Sequence, residues 1–246
     1  MRTLLRPRAV LVRALGDEVT SLGPNVLMTE HTHPFDLSFA VWATSLDQDK
    51  LPVGDHSFPF EFVLPTALPP TFRGEFTRIA YRIETKVDVP LHSDLHAEQA
   101  LIVQVPPLVD ADKPLRSSAS TTDGLKLELE LGASGCYPGE HVSGQLHLSG
   151  ATSASVKAAN VDLISYEKGE AREFVDHFEK LRVRIEIEPK VLTEGQPFPI
   201  DLPIPDDVDP SFSGVHSAKS RRVRAIVTLT DGRLLTTEAV LRVGQP

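Results

Sequence analysis

A Phe-Pro segment is written twice in this chain, and the duplication constrains the fold more than any other feature. GDHSFPFEFVLPTALPPTFRG, from Gly54, is matched by GQPFPIDLPIPDDVDPSFSG, from Gly195. Phe58, Pro59, Pro65, Pro70, Phe72 and Gly74 recur as Phe198, Pro199, Pro205, Pro210, Phe212 and Gly214 at one constant offset. Two bodies of the same kind are therefore expected. In the first copy Phe58, Phe60 and Phe62 alternate, which predicts that all three enter a core while Pro59 limits pairing on the other face. Pro65, Pro69 and Pro70 then stiffen an extended connection, because proline fixes φ and biases its predecessor away from helix.

Each copy precedes a segment of period two. Ile79, Tyr81, Ile83 and Val87 alternate with Arg78, Arg82, Glu84 and Lys86; Val223, Ala225, Val227 and Leu229 alternate with Arg222, Arg224 and Thr228. Such alternation predicts half-buried strands. A hairpin partner follows each, Gln99 to Val105 and Leu235 to Val243, the second across the turn signal Asp231-Gly232. The second half opens with two further strands, LKLELELG from Leu125 and HVSGQLHLSG from His141, joined by CYPGE, and LRVRIEIE from Leu181 alternates equally strictly. Strands follow strands and no helical period competes, so the expected class is all-β: two tandem antiparallel, immunoglobulin-like sandwich domains. The boundaries read as 1–105 for the first domain, 106–123 for a Pro/Ser/Thr/Asp-rich linker, and 124–246 for the second.

A chain of 246 residues accommodates two such domains. No apolar run reaches the length of a membrane helix. Arg6, Pro7, Arg8 and Arg13 interrupt the N-terminal segment against a signal-peptide reading. One cysteine, Cys136, permits no internal disulfide and suits a reducing compartment, so a cytoplasmic protein is expected. The formal net charge of -9 argues against a nucleic-acid partner, since phosphate affinity rests on concentrated Lys and Arg. The basic cluster from Lys219 to Arg224 reads as a solvated hairpin end.

With these residues in view, LPVGDHSFPFEFVLPTALPPTF resembles the signature of arrestin N-domains, and RIAYRIETKV resembles the strand that follows it there. YPGEHVSGQLHL is similar to the opening hairpin of an arrestin-type domain, as also found in bacterial sporulation-control proteins. The resemblance implies tandem sandwiches without a reactive centre. One departure accompanies it. The first half shows no counterpart of Leu125 to Gly150 and starts at the equivalent of the third strand, PRAVLVRALG. Its opening hairpin is thus expected to be missing, through a misplaced start or an incomplete domain. The phosphate-reading lysines that arrestins carry there have no position to map onto, and VPPLVD lacks the tyrosine of a PPxY motif.

Candidate chemistry is sparse. His31 and His33 share one strand face, and His92 and His96 are close in sequence, which suits zinc when further donors complete the shell. Without a cysteine or an HExxH frame, the plain reading is polar segments beside strands. Ser134 lies in a turn outside any G-x-S-x-G frame, and Cys136 has no positioned base. There is no Gly-rich phosphate loop. Trp42 and Tyr166 read as core or near-core packing. No catalytic, cofactor-binding or metal residue is nominated. The expected function is a non-catalytic scaffold, adaptor or regulator acting through protein contacts, including strand addition at an exposed edge. The alternatives are a self-associating structural or stress-related protein and a carbohydrate- or ligand-binding sandwich.

Overall fold

The computed structural model describes residues 7–23, 28–44, 51, 54–90, 92–150, 156–193 and 196–245. Met1, proposed above as a misplaced start, and Gly195 of the second copy lie outside them. Strands dominate the described residues, as expected; the one helix among them, α1, is a single turn over Pro189–Thr193. The chain divides into two compact units. The first comprises Met1–Gln104, Glu170–Phe174 and Gly214–His216; the second comprises Val105–Gly169, Val175–Ser213 and Ser217–Pro246.

The second unit is a two-sheet sandwich. One sheet runs β12 (Phe198–Pro203), β9 (His141–Ser149), β7 (Lys126–Leu131) and β6 (Leu115–Ser120), all antiparallel neighbours. The other runs β11 (Phe174–Ile187), β10 (Val156–Ala171), β14 (Ser217–Leu229), β15 (Leu234–Val243) and β8 (Gly135–Cys136), with β13 (Phe212–Ser213) on β14. The leucine ladder explains the union. Leu127, Leu129 and Leu131 project to one side of β7, where they join Leu146, Leu148, Ile200 and Leu202 in one buried cluster with Val161, Leu163, Val223, Ala225, Val227 and Leu241 of the other sheet. Burying such side chains stabilises by about 1.5–3 kcal/mol each, and period two puts the intervening charges on the opposite face.

The stretch read as a linker, 106–123, contains β6, which pairs with β7 from Leu115↔Leu131 to Ser120↔Lys126. Its small hydroxyl residues obscure the alternation, yet Leu115 packs on the core and the Thr237 hydroxyl lies 2.9 Å from the Ser117 hydroxyl. The Asp231-Gly232 turn is present, with Gly232 at φ 88° and its N–H donating to the Leu229 carbonyl at 3.1 Å.

The first unit contains one sheet among the described residues: β2 (Met28–Ala43), β1 (Ala9–Leu22), β4 (Thr77–Asp88) and β5 (Leu95–Leu101), with β3 (Phe72–Arg73) also on β4. β1 is central, flanked by β2 and β4 along most of its length. The hairpin partner of β4 begins at Leu95, earlier than Gln99, because polar His96 and Glu98 still pair in the ladder. In the interior, Glu18 is buried and accepts N–H donors from Val215 and His216 at 2.9 Å each.

The duplication holds down to single hydrogen bonds. The Leu68 N–H donates to the Pro65 carbonyl at 3.3 Å, as Val208 does to Pro205. Thr71 N–H donates to Val103 O and receives Val103 N–H on its hydroxyl; Ser211 and Val243 exchange the same pair of bonds. The carbonyl of Pro69 accepts the Tyr81 hydroxyl at 2.7 Å, and that of Asp209 accepts the Arg221 guanidinium at 2.8 Å. One geometry is thus reached with different donors.

Leu129, 1% exposed at the centre of the sandwich, gives a direct test. Leu129→Ala is expected to lower unfolding free energy by about 2–5 kcal/mol in urea titrations, the range for cavity-forming leucine truncations.

Candidate functional site

The repeated ladder behaves differently in its two copies. In the second, Phe198–Pro203 is β12 and pairs with β9, and Ile200 and Leu202 are buried. In the first, Phe58 to Phe62 forms no strand pair among the described residues and lies as an extended strap. The expectation that all three phenylalanines enter a core is therefore corrected: Phe60 is 41% exposed, and Phe58 and Phe62 are half-buried. With no strand beside this segment among the described residues, the rings settle against β2. Phe62 stacks on Phe35 at 6.3 Å, Phe60 meets Phe39 edge-on at 6.0 Å, and Phe58 lies tilted against Trp42 at 6.3 Å. Trp42 is half-buried. Each such pair contributes about 0.5–1.5 kcal/mol beyond area burial.

Downstream of the ladder, Leu68, Pro69, Pro70 and Phe72 are buried. Gly16 makes room for the Tyr81 side chain that binds Pro69, since a Cβ on Gly16 would stand 2.5 Å from Tyr81 Cε1. A groove of about 680 Å³ crosses the sheet from Ser38–Ala40 through Leu11–Arg13 and Glu84–Lys86 to His96–Glu98. Its volume falls in the range of ligand clefts, and its lining mixes apolar and charged residues. β5, at the end of this groove, pairs only with β4 among the described residues, and all of it but Leu101 is exposed.

On the same sheet, the β1–β2 register shifts between Gly16↔Phe35 and Glu18↔Thr32, so Asp17 on β1 faces His33 and Pro34 on β2. A bulge of this kind re-aims side chains. His33 Nδ1 comes to 2.8 Å and His31 Nε2 to 3.4 Å from Asp17 Oδ1, and Arg82 Nη1 binds Asp17 Oδ2. Burial pushes the Asp17 carboxyl up, but Arg82 and the two imidazoles outweigh it and hold the group below its ordinary range. His31 and His33 thus sit within β2 and not in a polar segment beside it, because the bulge absorbs Pro34 without ending the strand. The only sequence sign of the bulge is Pro34 inside an alternating run. His92 lies in a turn and His96 in β5; neither joins a group of three potential metal ligands among the described residues.

The remaining candidates are occupied in packing or pairing. Cys136 is buried, its thiol pushed up to about 12 by burial and by Glu140. The Ser134 hydroxyl donates to the Asp110 carbonyl at 2.9 Å. Lys219 to Arg224 is corrected from a hairpin end to the body of β14: Lys219 and Arg221 lie on the same face as the apolar Val223, Ala225, Val227 and Leu229 and are buried with them. Lys219 binds Glu167 at 2.9 Å, while Arg222 and Arg224 pair with Glu179 and Glu238 on the opposite face. Burial pushes Arg221 down to about 10. Tyr166 stacks on His177, and the Arg222 guanidinium lies 3.3 Å over the Tyr166 ring. No helix of the described residues is long and apolar enough to cross a membrane.

Residues 24–110 match the family model described as arrestin (or S-antigen), N-terminal domain. Among curated proteins, arrestin domain-containing protein 1 of Mus musculus is 33% identical over 88 residues, 34% of this chain and 20% of that protein. Its Homo sapiens namesake is 33% identical over 86 residues, 33% of this chain and 20% of that protein. Arrestin domain-containing protein 17 of Caenorhabditis elegans is 32% identical over 73 residues, 30% of this chain and 17% of that protein. The matched stretch therefore spans about a fifth of each relative's length. The stretch that matches the family model, residues 24–110, contains β2, the strap and the β4–β5 hairpin.

Two measurements check this geometry. Gly16→Ala is expected to displace Tyr81 and cost about 1–3 kcal/mol, the range for overpacking, read as a lowered denaturation midpoint. Cys136 is expected to resist iodoacetamide at neutral pH in the native protein and to react fully once denaturant is added, as mass spectrometry will report.

Proposed function

We propose that this chain, which is arrestin-like over residues 24–110, is a non-catalytic, cytoplasmic adaptor or regulator to which an extended segment of a partner protein adds at β5. The observation that carries the reading is the β5 edge beside the groove, which pairs with no second strand among the described residues. An unpaired strand edge presents a row of N–H and C=O groups to an incoming strand, and pockets for alternate side chains supply selectivity. The groove reaches β5 at His96, Ala97 and Glu98. The opposite edge, β2, is the poorer template, because Pro34 removes a donor in its middle. The buried Cys136 thiol and the engaged Ser134 hydroxyl support the absence of catalysis. The division into two sandwich domains joined after residue 105 is part of the same proposal.

A second reading, self-association through the same edge, is favoured by exposed Leu95 on β5 and Ile102 directly after it. Sedimentation across a concentration series separates the two: an adaptor stays monomeric, whereas self-pairing gives a concentration-dependent dimer.

The adaptor reading is tested with the intact chain as bait in lysate of its own source. Glu98→Pro and Gln99→Pro are compared with wild type. Neighbouring residues of an edge strand point their N–H groups in opposite directions. One variant therefore blocks strand addition while keeping the β4–β5 ladder, and its thermal midpoint identifies it. That variant is expected to lose the proteins that wild type captures. Retention of the same set would exclude strand addition at β5, and capture of none by wild type would exclude the adaptor role.

A further inference from the structure

We propose that Asp17, His31 and His33 form a binding site for a divalent transition-metal ion, zinc being the ion that the donor set suits. Two imidazole nitrogens and a carboxylate oxygen are a common three-ligand set for zinc, with solvent or a ligand completing the tetrahedron. The three donors lie within 4.8 Å of one another. Ligands about 2.0–2.1 Å from a tetrahedral ion stand about 3.3 Å apart; His31 Nε2 is already 3.4 Å from Asp17 Oδ1. His33 Nδ1, at 2.8 Å, needs to withdraw only slightly.

The carboxylate is prepared for this use. Asp17 Oδ2 is held by Arg82, which also donates through Nε to Glu84 at 2.7 Å. Asp17 Oδ1 is buried, and the groups that face it are the two imidazole nitrogens. A cation between this oxygen and the imidazoles would take all three as donors, and burial of the oxygen would strengthen the attraction. Arg82 acts as an outer partner that fixes the carboxylate's orientation, as such groups do around metal ligands. Its positive charge opposes a cation, and Glu84 and Glu98, 3.8 Å from its Nε, offset it.

The duplicated fold supplies an internal contrast. The corresponding place in the second unit is filled by Tyr166, His177 and Arg222, whose rings and guanidinium stack. Packing at this position of the sheet therefore does not require a carboxylate and two histidines. The first unit carries metal donors where the second carries an aromatic stack.

Tag-free, chelator-stripped intact chain is titrated with zinc chloride by calorimetry, and cobalt(II) uptake is followed by visible absorption. Wild type is expected to take up one equivalent and to gain thermal stability as zinc rises, since an ion that binds only the folded state stabilises it by mass action. His31 and His33 side chains are 55% and 45% exposed, so His31→Gln and His33→Gln are expected to keep the fold. Each is expected to weaken zinc affinity by at least ~10-fold, the lower bound seen even for outer-shell partners, and to abolish the cobalt band. His92→Gln and His96→Gln are expected to leave both unchanged. The proposal is overturned if wild type takes up no stoichiometric zinc, or if His31→Gln/His33→Gln together retain it. Neither outcome bears on partner capture at β5.

Discussion

A strand of period two makes a sheet with one apolar face, and that face must be covered; the rest of the structure follows from how the cover is supplied. In the second unit the cover is another sheet. The leucines of β7 and the aliphatic residues of β9 and β12 close on β10, β14 and β15, and the result is one continuous buried core. In the first unit the described residues include one sheet, and an aromatic strap lies against it. Rings packed edge-on or offset from an unpleated segment cannot interdigitate as two sheets do, which leaves Phe60 and Val63 in contact with solvent.

What the two units share is the turn system around the Phe-Pro repeat. The proline-bounded turn, the Thr71 or Ser211 exchange with the last strand, and the donor to the Pro69 or Asp209 carbonyl occupy matching positions. These bonds place the strap or β12 relative to the following long strand. They also show what a duplicated geometry tolerates: a phenol in one copy and a guanidinium in the other reach the same acceptor. Each satisfies a backbone oxygen that would be costly to bury alone.

Both features proposed above for the first unit arise from interruptions of regular pairing. β5 pairs on one side only among the described residues, which leaves a template for another strand. The bulge at Asp17 gathers two imidazoles and a carboxylate on one spot of the sheet. Neither involves the duplicated motif, whose residues are consumed by packing.

The all-β class, the duplicated layout and the long strands were legible in the residues, because burial at period two leaves its mark on any strand with one wet face. Leu125 to Leu131 and Val223 to Leu229 proved buried at every alternate position. β6 was not legible, since hydroxyl side chains suit a strand and a loop equally well. The fate of Phe58, Phe60 and Phe62 depended on whether a neighbouring strand was available, a non-local matter that alternation does not encode. The burial of Lys219 and Arg221 depended likewise on the partners Glu167 and Asp209 brought to them from other parts of the chain. His31 and His33 could be seen to share a face, but Asp17 joined them only through a register shift between two strands. Local pattern thus determined which residues form strands and which faces are apolar; tertiary structure alone decided what covers each face and which distant side chains meet.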